Sequence, residues 1–259
     1  MMRVTSATRS TSNCSNAPLP RPVPRPADLA QLTLFDVERL AGATPLQAAR
    51  RLLGSLLEVE AADGVVRMRI VEVEAYGGTP DSRFPDPASH GYRGPTDRNR
   101  VMFGSAGHLY VYRSYGIHWC ANISYGRAGQ CGGVLMRAGE IVGGLDIARL
   151  RRPTARADDQ LACGPGNVGS ALAISRELNG SAVCTGESPV RLFRGPRVPA
   201  ATVENGPRVG VSTAQDRPWR LWDGRSLAVS KYRRAEPLPS GTRTLRLSVP
   251  AAGTEGSTP

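Results

Sequence analysis

All three histidines of the chain (His90, His108 and His118) and six of its seven tyrosines fall between residues 76 and 125. Phenylalanine is scarce by comparison, with four in the chain and two in this window, Phe84 and Phe103. A core built from tyrosine must find a partner for each buried hydroxyl, so the bias favours a ligand site over plain core. Such rings stack planar ligands and draw cations to their faces. Just before the window, a strand-like run sets Val66, Met68 and Ile70 on one face and Arg67 and Arg69 on the other. Beyond Ile70 the same alternation would carry Glu72 and Glu74 onto the apolar face. Either a bulge resets the strand or a carboxylate is pushed inward, and both arrangements occur beside active sites. A carboxylate held next to tyrosines is a candidate general base.

Two other constellations carry less. The histidines lack paired ligand spacing and no cysteine pair accompanies them, so neither a metal nor a cofactor is expected. Gly164-Pro165-Gly166-Asn167-Val168-Gly169 spells G-x-G-x-x-G and precedes a helical pattern. No useful strand leads into it, so it reads as a loop feeding a helix start rather than a dinucleotide site.

The elements that must position these groups follow from local pattern. Thr44-Pro45 caps a helix through Ala48, Ala49, Leu52 and Leu53, with Gly54 near its end. A hairpin then runs from Leu56 to Ala61, turns at Ala62-Asp63-Gly64, and returns from Val65 to Tyr76. From His108 to Tyr115, Leu109 and Val111 share one face and Tyr110 and Tyr112 the other. Shorter strands are expected at Val134–Arg137, Val190–Phe193, Arg208–Val211, Arg220–Trp222 and Leu227–Ser230, and helices at 143–152 and 166–176. Strands adjoin strands more often than they alternate with helices. The expected class is α+β, a single compact domain with a curved antiparallel sheet flanked by helices.

The 259 residues carry 33 basic and 22 acidic side chains, a net charge of +11. Residues 1–27 hold no acid, four arginines and five prolines between Pro18 and Pro26, the composition of a disordered arm. Residues 235–259 read as a low-complexity, charge-balanced tail. The domain is therefore expected over 28–234 and keeps +7 of the charge. Arginine forks match phosphate oxygens, so a polyanionic partner fits. The five cysteines are odd in number and show no CxxC, which argues against a disulfide scaffold or zinc ribbon. No apolar run reaches the roughly 18 residues of a membrane span. A reduced cytoplasmic chain, a monomer of bacterial source, is the expectation. Lys231 is the only lysine, so any mechanism through a lysine nucleophile must use it.

A series of segments then carries a resemblance. Glu72-Val73-Glu74-Ala75-Tyr76 is followed by Asp86-Pro87-Ala88-Ser89-His90 and Arg98-Asn99-Arg100-Val101-Met102-Phe103. Tyr110-Val111-Tyr112, Tyr115-Gly116 and Asn122-Ile123 come next, then Leu135-Met136-Arg137-Ala138, Cys163-Gly164-Pro165 and Arg208-Val209-Gly210-Val211. In this order, over roughly residues 40 to 232, they closely resemble the alkyladenine (3-methyladenine/methylpurine) DNA glycosylase family. The resemblance implies a monofunctional enzyme of base excision repair. Such an enzyme flips damaged purines out of duplex DNA and hydrolyses the N-glycosidic bond, leaving an abasic site.

By that resemblance Glu74 is the general base that activates water, and Arg137 and the Val209 carbonyl help to hold the water. Tyr76, His90 and Tyr112 are pocket walls, Asn122 opposes the 2-amino group of normal guanine, and Tyr115 is the wedge entering the minor groove. Arg98, Asn99 and Arg100 are candidate DNA-backbone contacts. The chemistry is coherent, because a base inside the duplex is unreachable unless flipped and an alkylated cationic purine suits tyrosine faces. One lysine, remote in sequence from Glu74, argues against a lyase step. Three departures bear on lesion preference and affinity: Arg113-Ser114 where apolar residues are usual, Ile117 beside the wedge, and Asn167 where lysine is common. A non-catalytic protein that binds damaged DNA is the competing reading; it would have no need of Glu74.

Overall fold

The computed structural model describes residues 32–235. The expected arm (1–27) and nearly all of the expected tail (235–259) lie outside the described residues. A short helix, α1 (Glu38–Ala41), leads into α2 (Pro45–Leu52). The start of α2 is a capping box: Gln47 N–H donates to Thr44 Oγ1, and Thr44 N–H donates to Gln47 Oε1. Its Ala48, Ala49 and Leu52 are buried. The hairpin β1 (Leu56–Ala61) and β2 (Gly64–Tyr76) closes through Ala61 opposite Gly64, which has φ +127°. Then come β3 (Leu109–Ser114), β4 (His118–Ser124), β5 (Gly133–Gly143), α3 (Leu145–Arg151), β6 (Ala162–Cys163) and α4 (Pro165–Ala171). Three short strands complete the described chain: β7 (Val190–Phe193), β8 (Val203–Gly206) and β9 (Arg220–Asp223).

The nine strands form one sheet with the principal order β3-β4-β5-β2-β1-β7, and all their pairings are antiparallel. Strand β2 is the spine. Its first half pairs with β1, its second half (Glu72–Glu74) with β9, and its other edge with β5 from Arg67 to Tyr76. One large apolar cluster joins α2, the inward faces of β1–β5 and α4, so the described residues form a single compact α+β domain. Among the described residues Cys120, Cys131, Cys163 and Cys184 are free thiols. No helix among them is long and apolar enough to cross a membrane.

The strand conflict resolves through irregular pairing of β2 with β5. The register shifts between Ile70 and Glu72 and again between Glu72 and Val73. Met68 and Ile70 face the main core before the shift, Val73 and Ala75 after it, while Val71 joins a separate small cluster. The bulge thus keeps Glu72 and Glu74 off the apolar face, yet both are fully buried, Glu72 against Ser230 beyond β9 and Glu74 against Val209 before it.

Two expected strands are absent: Arg208–Val211 and Leu227–Ser230 are irregular. Their backbone donors go to carboxylates instead of a ladder, Val209 N–H to Glu74 and Ser230 N–H to Glu72. The helix expected at 166–176 ends at Ala171 and is followed by Ala173 with φ +51° and a separate turn at Arg176–Leu178. Strand β4 was not among the expected elements. Its signal was there, with Trp119, Ala121 and Ile123 against the core alternating with Cys120 and Asn122. The helix after Cys163 begins at Pro165, and its glycines serve close packing: a Cβ on Gly169 would lie 2.0 Å from the Trp119 carbonyl oxygen.

Candidate active site

The Glu74 carboxylate is held from three directions. Val209 N–H donates to Oε1 at 2.7 Å, the Tyr76 hydroxyl donates to Oε2 at 2.8 Å, and Arg137 Nη1 lies 3.4 Å from Oε1. Arg137 comes from β5, next to β2 in the sheet, and its Nε also donates to Glu72 at 3.2 Å. Burial opposes the charge on this guanidinium, but Glu74 and Glu72 outweigh it and raise the group above its ordinary value. Burial and then the Glu74 charge push the Tyr76 hydroxyl well above its usual range, so it stays a donor.

Glu72 is differently placed. Its Oε1 accepts from Arg137 Nε, Arg220 Nε and Ser230 Oγ, and its Oε2 accepts from Ser230 N–H. With this set of donors, the second carboxylate braces Arg137 and ties the chain after β9 to the sheet. Of the two carboxylates, Glu74 is the one bonded to Tyr76 and Val209 of the cavity beyond.

That cavity has a volume of about 910 Å³ and is lined by Tyr76, His90, Tyr110, Tyr112, Asn122, Arg137 and Val209 among others. Glu74 lies immediately behind the lining, in contact with three of its members. The rings of Tyr110 and Tyr112 stack at 5.7 Å with 24° between planes, and His90 meets Tyr112 edge-on at 4.7 Å. His90 Nδ1 is 3.0 Å from the Tyr110 hydroxyl. Partial burial, and then the Arg98 charge, hold His90 below its ordinary value, which favours the neutral ring. The Asn122 side chain is buried at the cavity wall, its amide 3.4 Å from the Tyr110 carbonyl.

Tyr115 sits at the rim in the β3–β4 turn, 92% exposed. It has φ +49° and Gly116 has φ +68°, with Ile117 N–H donating to the Ser114 carbonyl at 3.0 Å, the pattern of a type I′ turn. That turn favours asparagine or glycine at the Tyr115 position, so a large exposed aromatic in strained backbone is a functional signal. Ile117 beside it is 69% exposed. The Arg113 guanidinium lies over the Trp119 ring at 5.7 Å, and the Asn167 amide donates to the Cys163 carbonyl at 2.6 Å.

Arg98 and Arg100 are exposed, the latter paired with Asp97. Asn99 departs from its expected place at the DNA backbone. It is buried, and its amide donates to the carbonyls of His90 (2.9 Å) and Gly94 (3.1 Å) while its oxygen accepts from Thr96 N–H. Both amide protons are engaged within the protein, so it braces the loop carrying His90. The sequence reading also missed the pair Asp86–Arg208, which joins that loop to the segment of Val209. Both residues stood within recognisable segments, but nothing local marked them as partners. Lys231 is exposed and is not part of the cavity lining.

The sequence profile of the family described as methylpurine-DNA glycosylase matches residues 39–226, most of the chain and every residue of the Glu74 cluster. The chain belongs to the methylpurine-DNA glycosylase family. Among bacterial relatives of this family member, a protein of Rhodococcus jostii (strain RHA1) is 56% identical over 199 residues, covering 77% of this chain and 86% of the relative. One from Nocardia farcinica (strain IFM 10152) is 53% identical over 215 residues, covering 83% and 99%. Another, from Mycolicibacterium fortuitum, is 52% identical over 196 residues, covering 76% and 97%. All three bear the name "Putative 3-methyladenine DNA glycosylase".

Proposed function

We propose that this family member is a monofunctional DNA glycosylase that excises alkylated purines, of the 3-methyladenine type, from double-stranded DNA. The observation that carries the reading is the Glu74 carboxylate, fully buried and fixed by Val209 N–H, the Tyr76 hydroxyl and Arg137 behind a tyrosine-lined cavity. A carboxylate has about four acceptor positions. Two are taken here by hydrogen bonds from Val209 N–H and the Tyr76 hydroxyl, leaving acceptor capacity for the water that attacks the anomeric carbon. Arg137 and the Val209 carbonyl complete the water's surroundings, and general-base assistance of this kind contributes about 10²–10⁴-fold.

The flipped base would lie against Tyr76, Tyr112 and His90. A purine alkylated at N3 or N7 is cationic, which strengthens its stacking on these rings and makes it a good leaving group. Asn122 at the wall would disfavour guanine, because an amide N–H directed at its 2-amino group leaves two donors facing each other. Tyr115 would fill the gap left in the duplex, offsetting part of the few kcal/mol that unstacking costs. Arg98 and Arg100, both exposed, would approach the phosphates.

The test is release of free 3-methyladenine from methylated duplex DNA by wild type and by Glu74→Gln. Release by wild type and a loss of about 100-fold or more in the variant is the expected outcome. No release by wild type would leave a damage-binding protein as the better reading, and equal release by the variant would remove Glu74 from the mechanism.

A further inference from the structure

A second cavity, about 830 Å³ in volume, lies where α2 and the chain after β7 meet. It shares no lining residue with the active-site cavity. Its lining comes from α2, the segment after β7, and strands β8 and β9, whereas the active-site cavity draws on β3, β4, β5 and the end of β2. Five arginines line it: Arg39, Arg50, Arg51, Arg194 and Arg197, with no aspartate or glutamate in the wall. None of the five forms an ion pair with a carboxylate among the described residues, although arginines elsewhere do so repeatedly.

The backbone brings these cations together by close contact. A Cβ on Gly195 would lie 1.9 Å from the Gly54 carbonyl oxygen, and one on Gly54, with φ +87°, 2.7 Å from that of Pro196. Only glycine at both positions lets the Arg194–Arg197 segment press against the end of α2, where Arg50 and Arg51 stand. Arg50 Nη2 donates to the Val198 carbonyl at 2.6 Å, and Arg51 Nη1 to that of Arg39. Partial burial, and then the Arg197 charge, lower Arg50 below its ordinary value.

We propose that this cavity is a second ligand site, for a nucleoside polyphosphate. Guanidinium forks match phosphate oxygens two at a time, and several adjacent phosphates suit several converging arginines. The wall also includes the nearly buried Phe35, Leu53 and Leu221, a narrow apolar floor, with the amides of Gln47 and Asn205 to address the edge of a base. The volume falls in the range of small-molecule sites, roughly 300–1,000 Å³. The concavity is open to solvent, so a ligand of this size enters without rearrangement.

Titration calorimetry of the full chain with ATP, and separately with inorganic pyrophosphate, tests this. Saturable binding of both is expected, weakened roughly tenfold or more in Arg194→Gln/Arg197→Gln. Both side chains are exposed and make no hydrogen bond among the described residues, so the fold should survive, and a thermal melt checks it. Absence of saturable ATP binding to wild type overturns the proposal. So does ATP binding that the double variant leaves unchanged, the result if nucleotide enters the active site instead. Loss of affinity for undamaged duplex in the double variant, without ATP binding to wild type, would assign the arginines to the DNA backbone and overturn it equally.

Discussion

Asp86 and Arg208, 122 positions apart, meet as a fully buried bidentate pair: Nη1 lies 2.6 Å from Oδ2 and Nη2 lies 2.9 Å from Oδ1. Asp86 opens the loop that carries His90, and Arg208 immediately precedes Val209, the donor to Glu74. The guanidinium also lies over the Tyr76 ring at 4.6 Å and donates to the Ala75 carbonyl. One ion pair therefore holds two walls of the cavity against the strand that bears Glu74.

Removing one partner leaves an uncompensated buried charge. Asp86→Asn should destabilise the domain by about 3–5 kcal/mol, measured by chemical denaturation. A loss below about 1 kcal/mol would mean that the surroundings relax to solvate Arg208.

The same pair sets the acid limit. Burial would raise the Asp86 carboxyl, but its bonds to Arg208 and the Arg208 charge outweigh burial and hold it below the ordinary range. Asp223 is lowered likewise, Arg225 and Arg69 outweighing its burial. A folded value below the unfolded one contributes stability above about pH 4, lost as pH falls through the folded value. Stability should stay nearly level from neutrality to about pH 5 as far as these groups decide it, then drop in acid. Asp86→Asn should show a shallower acid limb, and an equal slope in both proteins would discount the pair.

Tyr115 exchanges backbone comfort for exposure. Asparagine tolerates positive φ, so Tyr115→Asn should stabilise the free protein by up to about 1 kcal/mol. The same change should weaken binding to duplex DNA containing a lesion analogue. Thermal melts and a fluorescence anisotropy titration read the two effects separately. Unchanged lesion affinity would count against the wedge.

Lys231 is expected to take no part in the chemistry. Lys231→Ala should release methylated purine at the wild-type rate, and borohydride reduction during turnover should trap no covalent protein–DNA species. A trapped species that the variant loses would show a Schiff-base route.

Elements with strong local signals could be read from the chain alone. The Thr44-Pro45 cap set α2, alternation with a glycine turn set the β1–β2 hairpin, and period-two patterning put Tyr110 and Tyr112 on one face. The chemistry-bearing window and the conflict at Glu72 and Glu74 were also visible, because side-chain type and spacing are properties of sequence. Which carboxylate faces the cavity was implied only by resemblance.

The tertiary structure decided the rest. The bulge direction depends on β5, more than 60 residues away in the Arg137–Glu72 contact, and the fate of Arg208–Val211 and Leu227–Ser230 on carboxylates 135 and 158 positions distant. Both segments alternate like strands, yet their N–H groups found charged acceptors that no local propensity can report. The sequence by itself determined the partners available for burial and charge. Only packing decided which buried donor each carboxylate received, because an isolated buried charge is untenable and its nearest donors are set by the sheet.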